Sequence, residues 1–120
     1  MSLFKITVSP HNGPLKIDLM MYRNASFSNQ LTLTDENDEV YDLTGQTPTA
    51  KMRKHYDSAN SISLSCSANV ETGIITMALG AMATANIEAG RYVYDLIIIN
   101  TENIVSRISQ GFITVNPRVT

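Results

Sequence analysis

Apolar residues return at every second position through most of this chain, and turn residues cut the pattern roughly every ten residues. Only Ala81 to Ile87, rich in alanine, offers a helical turn, and it is too short to stand alone. That combination predicts many short strands rather than strand–helix–strand units. Leu3 to Val8 is a candidate first strand, closed by Ser9-Pro10-His11-Asn12-Gly13-Pro14. Leu15, Ile17, Leu19 and Met21 alternate with Lys16 and Asp18 as a half-buried strand would. Phe27, Leu31 and Leu33 make the next, and Asp35-Glu36-Asn37-Asp38-Glu39 turns the chain into Val40-Tyr41-Asp42-Leu43.

The second half is more regular. Ala50, Met52 and Tyr56 share one parity while Lys51, Arg53 and His55 share the other, which predicts one buried and one charged face. Ile62, Leu64 and Cys66 form a strand, and after Thr72-Gly73 so do Ile75, Met77 and Leu79. Glu88-Ala89-Gly90 launches the strongest strand, Arg91 to Ile99. In the last strand Ile104 and Ile108 are even-numbered but Ile113 and Val115 odd, so one residue must be absorbed between them. Gln110-Gly111 is the expected bulge.

The expected fold class is therefore an all-β, immunoglobulin-like antiparallel β-sandwich of about seven to nine strands, with at most one short helical turn. Composition alone leaves a barrel open. The segment Asn86 to Tyr94 favours the sandwich, because a loop, a Gly and Tyr-x-hydrophobe open a central strand in many immunoglobulin-like domains. Tyr92 would then send its hydroxyl back to loop backbone; otherwise it is an ordinary core aromatic, as Tyr94 is expected to be. The 120 residues suit one domain spanning 1–120, with 1–14 as an extra strand or arm.

A formal net charge of −2, with nine scattered Lys and Arg, argues against nucleic acid. Leu96 to Ile99 is the longest apolar run, too short to cross a bilayer, and no signal peptide is visible, so a cytoplasmic start is expected. A lone Cys66 excludes an internal disulfide or a thiolate metal cage. His11 and His55 have no Ser or Cys motif around them, and there is no Gly-rich phosphate loop, so neither an enzyme nor a small-molecule substrate or cofactor is expected. Asp35, Asn37 and Glu39 have the alternate spacing of calcium ligands, but the sixth-position Gly and distant Glu are missing, which favours a solvated turn.

Several stretches carry a resemblance in order and spacing. They are Asp42-Leu43-Thr44-Gly45 with Ala50-Lys51-Met52-Arg53, then Thr72-Gly73-Ile74-Ile75-Thr76 with Leu79, then Thr84 and Ile87. Gly90-Arg91-Tyr92-Val93-Tyr94-Asp95-Leu96, Val105, Arg107, Gly111 and Val115-Asn116-Pro117-Arg118-Val119-Thr120 follow. From about Phe27 to the C-terminus the chain resembles small tailed-phage virion structural proteins with an immunoglobulin-like domain of the baseplate-upper-protein type. The resemblance implies a virion protein of the tail or baseplate, assembled in the host cytoplasm. Its partners would be other virion proteins, copies of the same chain among them. A capsid decoration protein is the alternative within that class, and a carbohydrate-binding sandwich the alternative outside it, weakened by the absence of Trp.

If Tyr92, Tyr94, Leu96 and Ile98 point inward, Val93, Asp95, Ile97 and Ile99 point outward. In an immunoglobulin-like topology Arg53, Asp95 and Arg107 would then form a charge ladder on one outer face, with Asp95 between the two guanidinium groups. Around it Val93, Ile97, Ile99 and Val105, with Lys51, form a candidate interface. Leu3 to Val8 is the competing cover for that strip.

Overall fold

A computed structural model describes residues 15–35 and 37–117 in full, and residues 2–7 as backbone only. Val8, His11, Glu36 and residues 118–120, which figure in the sequence reading, lie outside the described residues. The regular structure of the described chain is strand apart from one short helical turn. In order it holds β1 (Ser2–Thr7), β2 (Leu15–Lys16), β3 (Leu19–Tyr22), β4 (Phe27–Thr34), β5 (Thr47–Arg53), β6 (Ile62–Asn69) and β7 (Ile74–Leu79). A single helical turn, α1 (Ala81–Ala85), leads to β8 (Gly90–Ile99) and β9 (Val105–Asn116).

The strands follow one path, β1-β4-β7-β6-β5-β8-β9-β2, with β3 continuing the β2 edge along β9. The path closes into a sandwich because β6 serves both layers. Its first half, Ile62 to Leu64, pairs with β5, and its second half, Ser65 to Asn69, pairs with β7. Inward residues from the two layers meet between them. Leu31, Leu33, Ile75 and Met77 come from one side; Met52, Tyr94, Leu96, Ile98, Ile113 and Val115 come from the other, and all are buried. Burying a Leu, Ile or Met side chain is worth ~1.5–3 kcal/mol, so this double layer is the main source of stability.

From β4 to β9 every pairing is antiparallel, as alternation predicts, but both edges are parallel. β1 runs parallel to β4, and β2 and β3 run parallel to β9. The N-terminal segment thus contributes to the edge of each layer. Leu3 to Thr7, within β1, accordingly sits at the β4 edge and does not lie across the outer face of β8, where the sequence reading offered it as a cover.

Three local expectations change. Val40 makes only a single bridge with Thr34, although Leu43 nearby is buried in the core. Tyr56 lies beyond the end of β5 and is 67% exposed, because the strand stops at Arg53 and the chain turns away. The register shift in the last strand falls between Leu96 and Ile97 of β8, opposite Ile108 and Ser109, and not at Gln110-Gly111. Ile108 and Ser109 are consecutive yet both buried, so Ile108 is the absorbed residue.

Gly111 has another task. At φ +156°, it lets the Ile17 carbonyl approach so closely that a Cβ there would lie 2.4 Å from that oxygen and 2.8 Å from Asp18 Oδ1. Around this point the Tyr94 hydroxyl donates to the Ile17 carbonyl at 2.7 Å, and the Phe112 N–H donates to Asp18 Oδ1 at 3.0 Å. The Ile17 N–H donates to the Gln110 carbonyl at 2.9 Å. Ile17 and Asp18 are the gap between β2 and β3, so the break in that edge strand is where it is fastened. Burial pushes the Tyr94 phenol up to about 12, which keeps it a donor at ordinary pH.

Gly111→Ala should therefore lower stability by ~2–4 kcal/mol, through an unfavourable φ and a clash with fixed backbone. Chemical denaturation would measure it, and a change below ~0.5 kcal/mol would show that the edge strand is not held there.

Candidate functional site

The outer face of β5, β8 and β9 collects most of the residues that sequence parity singles out. Across β5 and β8, Lys51 faces Asp95 and Arg53 faces Val93. Across β8 and β9, Val93 faces Phe112, Ile97 faces Arg107 and Ile99 faces Val105. Ile97 and Ile99 are half-buried, Lys51 is exposed, and Val105 is 55% exposed. Val93 is buried although it points away from the inner core, so something on the outer face covers it.

Arg53 and Phe112 flank Val93 on the neighbouring strands, and the segment after β5 lines the same cleft. The Ser58 N–H donates to the His55 carbonyl at 3.1 Å, and the His55 N–H donates to Ser58 Oγ at 3.0 Å, which folds the chain into a tight turn. The Arg53 guanidinium donates to the Ser58 carbonyl at 2.7 Å and ties that turn to the sheet. A cleft of about 450 Å³ results, with Val93 among its lining residues and Lys51, Tyr56, Asp57, Asp95 and Arg107 around it.

The charge ladder is thus assembled differently from the expectation. Arg107 Nε lies 3.6 Å from Asp95 Oδ2, and both side chains are largely solvated, at 54% and 39% exposure. Arg53 is one pair of strand positions too far along, across from Val93, and is committed to Ser58. Lys51 takes the place opposite Asp95. Asp95 is therefore flanked by Lys51 and Arg107, with no ion pair to Arg53 among the described residues.

Three further residues complete the face. Phe112 lies beside Val93, and its ring has Arg91 at 5.0 Å and Lys16 at 5.5 Å from its centre. Cations over an aromatic ring at these distances contribute ~0.5–1 kcal/mol each when exposed. Parity alone could have found Phe112, since it alternates with the inward Ile113. Lys16 could not be found that way, because nothing local says that β2 lies against β9.

The remaining candidates are structural. The Tyr92 hydroxyl donates to the Glu88 carbonyl at 2.7 Å, four residues back, which pins the loop that enters β8. Gly45 turns at φ +72°, and a Cβ there would come within 3.1 Å of the Thr101 methyl. The Cys66 thiol is half-buried and pushed up by burial, which keeps it protonated and weakly nucleophilic. His55 stands exposed in the Ser58 turn. Asp35 Oδ1 accepts the N–H groups of Asn37 and Glu39, at 2.8 and 3.0 Å, so that carboxylate shapes its own turn. No group of three metal-ligating side chains occurs among the described residues.

The fold and this face define an all-β, immunoglobulin-like sandwich domain that presents one layer's outer surface. No protein-family model matches the chain, and no curated protein matches it. Among solved structures it is similar in fold to the N-terminal domain of phage TP901-1 ORF48, with a TM-score of 0.57 and 15% identity over 97% of this chain and 99% of that one. The Listeria monocytogenes internalin-like protein lmo2027 aligns with a TM-score of 0.46 and 16% identity, over 87% of this chain and 29% of that one.

The rebuilt ladder makes a quantitative statement. A double-mutant cycle between Asp95 and Arg107 should give ~0.2–1 kcal/mol of coupling, as for other solvated pairs, and one between Asp95 and Arg53 none beyond error. Strong coupling to Arg53 would mean that its side chain leaves Ser58 in solution.

Proposed function

We propose that this chain is a non-enzymatic structural protein of a tailed-phage particle, a component of the tail or baseplate that works by repeated protein–protein packing. One observation carries the reading. The similarity to a phage protein domain runs over nearly the whole of both chains, and it coincides with a sequence resemblance to tailed-phage proteins from about Phe27 onward. A domain matched end to end is being compared as a unit, not by a shared hairpin.

The chemistry of the surface supports the same reading. The outer face of β5, β8 and β9 has an apolar centre at Val93, Phe112 and Ile97 inside a rim of Lys51, Arg91, Asp95 and Arg107. That is the usual anatomy of a protein contact. Each contact can be weak, because a particle repeats it and effective concentration substitutes for intrinsic affinity. The other virion proteins, copies of this chain among them, are the partners; the reaction centre of an enzyme has no counterpart in this proposal.

Ile97 and Ile99 point outward and do not belong to the inner core, so their replacement by lysine should leave the isolated domain folded. Ile97→Lys and Ile99→Lys are each expected to abolish incorporation into particles. Complementation followed by mass spectrometry of purified heads and tails would read this. Normal incorporation of both variants would move the contact elsewhere, and absence of the wild-type chain from every particle fraction would end the proposal.

A further inference from the structure

We infer that the basic outer face of β5, β8 and β9 receives the acidic end of a second copy of this chain, in a head-to-tail contact. The inference rests on the packing role proposed above and names its partner. It begins with how unevenly charge is distributed.

Residues 24–50 contain no Lys or Arg but five acidic residues, and residues 55–90 contain no Lys or Arg either. Strands β4, β6 and β7 therefore carry no basic side chain. Five of the nine basic residues, Lys16, Lys51, Arg53, Arg91 and Arg107, lie on the outer face of the other layer. Asp18, Asp57 and Asp95 lie on or beside that face, which leaves it at +2. The rest of the chain then holds four basic and eight acidic residues, or −4, within a total of −2. A chain of near-neutral formal charge is strongly polar.

The acidic charge is gathered at one end. The Leu33 N–H donates to the Gly73 carbonyl at 2.8 Å and the Tyr41 N–H to the Leu33 carbonyl at 3.1 Å, so the turn carrying Glu71 packs beside the segment carrying Asp35, Glu39 and Asp42. Glu39, Asp42 and Glu71 are exposed. Strand β6 measures the distance to the basic face. It begins at Ile62, level with Met52, and ends at Asn69 in the acidic turn, which is ~23 Å of extended chain. Exposed charges so far apart are screened at a Debye length of ~8–10 Å, so the acids cannot neutralise the face within one molecule. A neighbour can bring them into contact.

The receiving face has a shape for this. Its cleft of about 450 Å³ lies between the Ser58 turn and the sheet, with Val93 among its lining residues and Lys51 and Arg107 at hand for carboxylates. Exposed Val40, beside Gly73 at the acidic end, is an apolar counterpart to Val93 and Phe112. Because the two surfaces differ, the contact is heterologous, and repetition generates a ring or a filament rather than a closed pair.

Sedimentation velocity on the purified chain tests this, with circular dichroism as a control for folding. The wild type should associate at 50 mM salt, and on the order of tenfold more weakly at 500 mM. Lys51→Glu with Arg107→Glu should abolish association, and so should Glu39→Lys with Glu71→Lys. A one-to-one mixture of the two folded variants should associate again, since one unaltered pair of surfaces remains and the two reversed surfaces also carry opposite charge. A wild type that stays monomeric at low salt, variants that associate as the wild type does, or a mixture that stays monomeric would each overturn the inference. If any of these occurs while Ile97→Lys still blocks incorporation, the packing role stands and its partner is a different protein.

Discussion

The close approach between Gly111 and the Ile17 carbonyl fixes more of this molecule than any other single contact. A strand shows its side chains to opposite faces in turn, so a slip of one residue along β9 would exchange the two faces entirely. The Gly111 backbone, the Tyr94 hydroxyl and the Asp18 carboxylate hold one register between β9 and the N-terminal edge strand. With that register, Ile113 and Val115 enter the core while Phe112 emerges beside Val93. The bulge at Ile108 then restores Arg107 to the outer side, next to Asp95. Core and outer face are thus two consequences of one alignment.

The same layer carries both the most buried aromatic and the most basic surface. Tyr94 faces inward from β8, and its neighbours Val93 and Asp95 face outward into the cleft. In the opposite layer, strands β4, β6 and β7 have no Lys or Arg. A sandwich that divides charge in this way has a defined orientation for any neighbour of like construction. That arrangement is what the proposed packing role requires.

Much of this was legible in the sequence, and the reasons are local. Ile75 and Met77, like Tyr94, Leu96 and Ile98, alternate cleanly, and side-chain parity follows from strand geometry alone. Lys51, Arg53, Asp95 and Arg107 share the outward parity of β5, β8 and β9. Parity does not encode which strands are neighbours in what direction or register, so the parallel edges were missed and Arg53 was paired with the wrong residue. Tyr56 continued the phase of β5, yet the strand ends earlier because the Ser58 turn offers Arg53 and His55 hydrogen bonds that the ladder does not. Gly111 was expected to mark a bulge, whereas the group that needs its missing side chain, the Ile17 carbonyl, is nearly a hundred residues away in sequence.

Hydroxyl-radical footprinting of the free chain and of intact particles tests most directly whether the outer face of β5, β8 and β9 is the packing surface. Tyr56 and Phe112 report on that face, and Met82, 86% exposed on α1, is a reference away from it. The expected result is strong protection of Tyr56 and Phe112 in the particle, with Met82 still oxidised. Equal labelling of Tyr56 and Phe112 in both states would contradict the assignment.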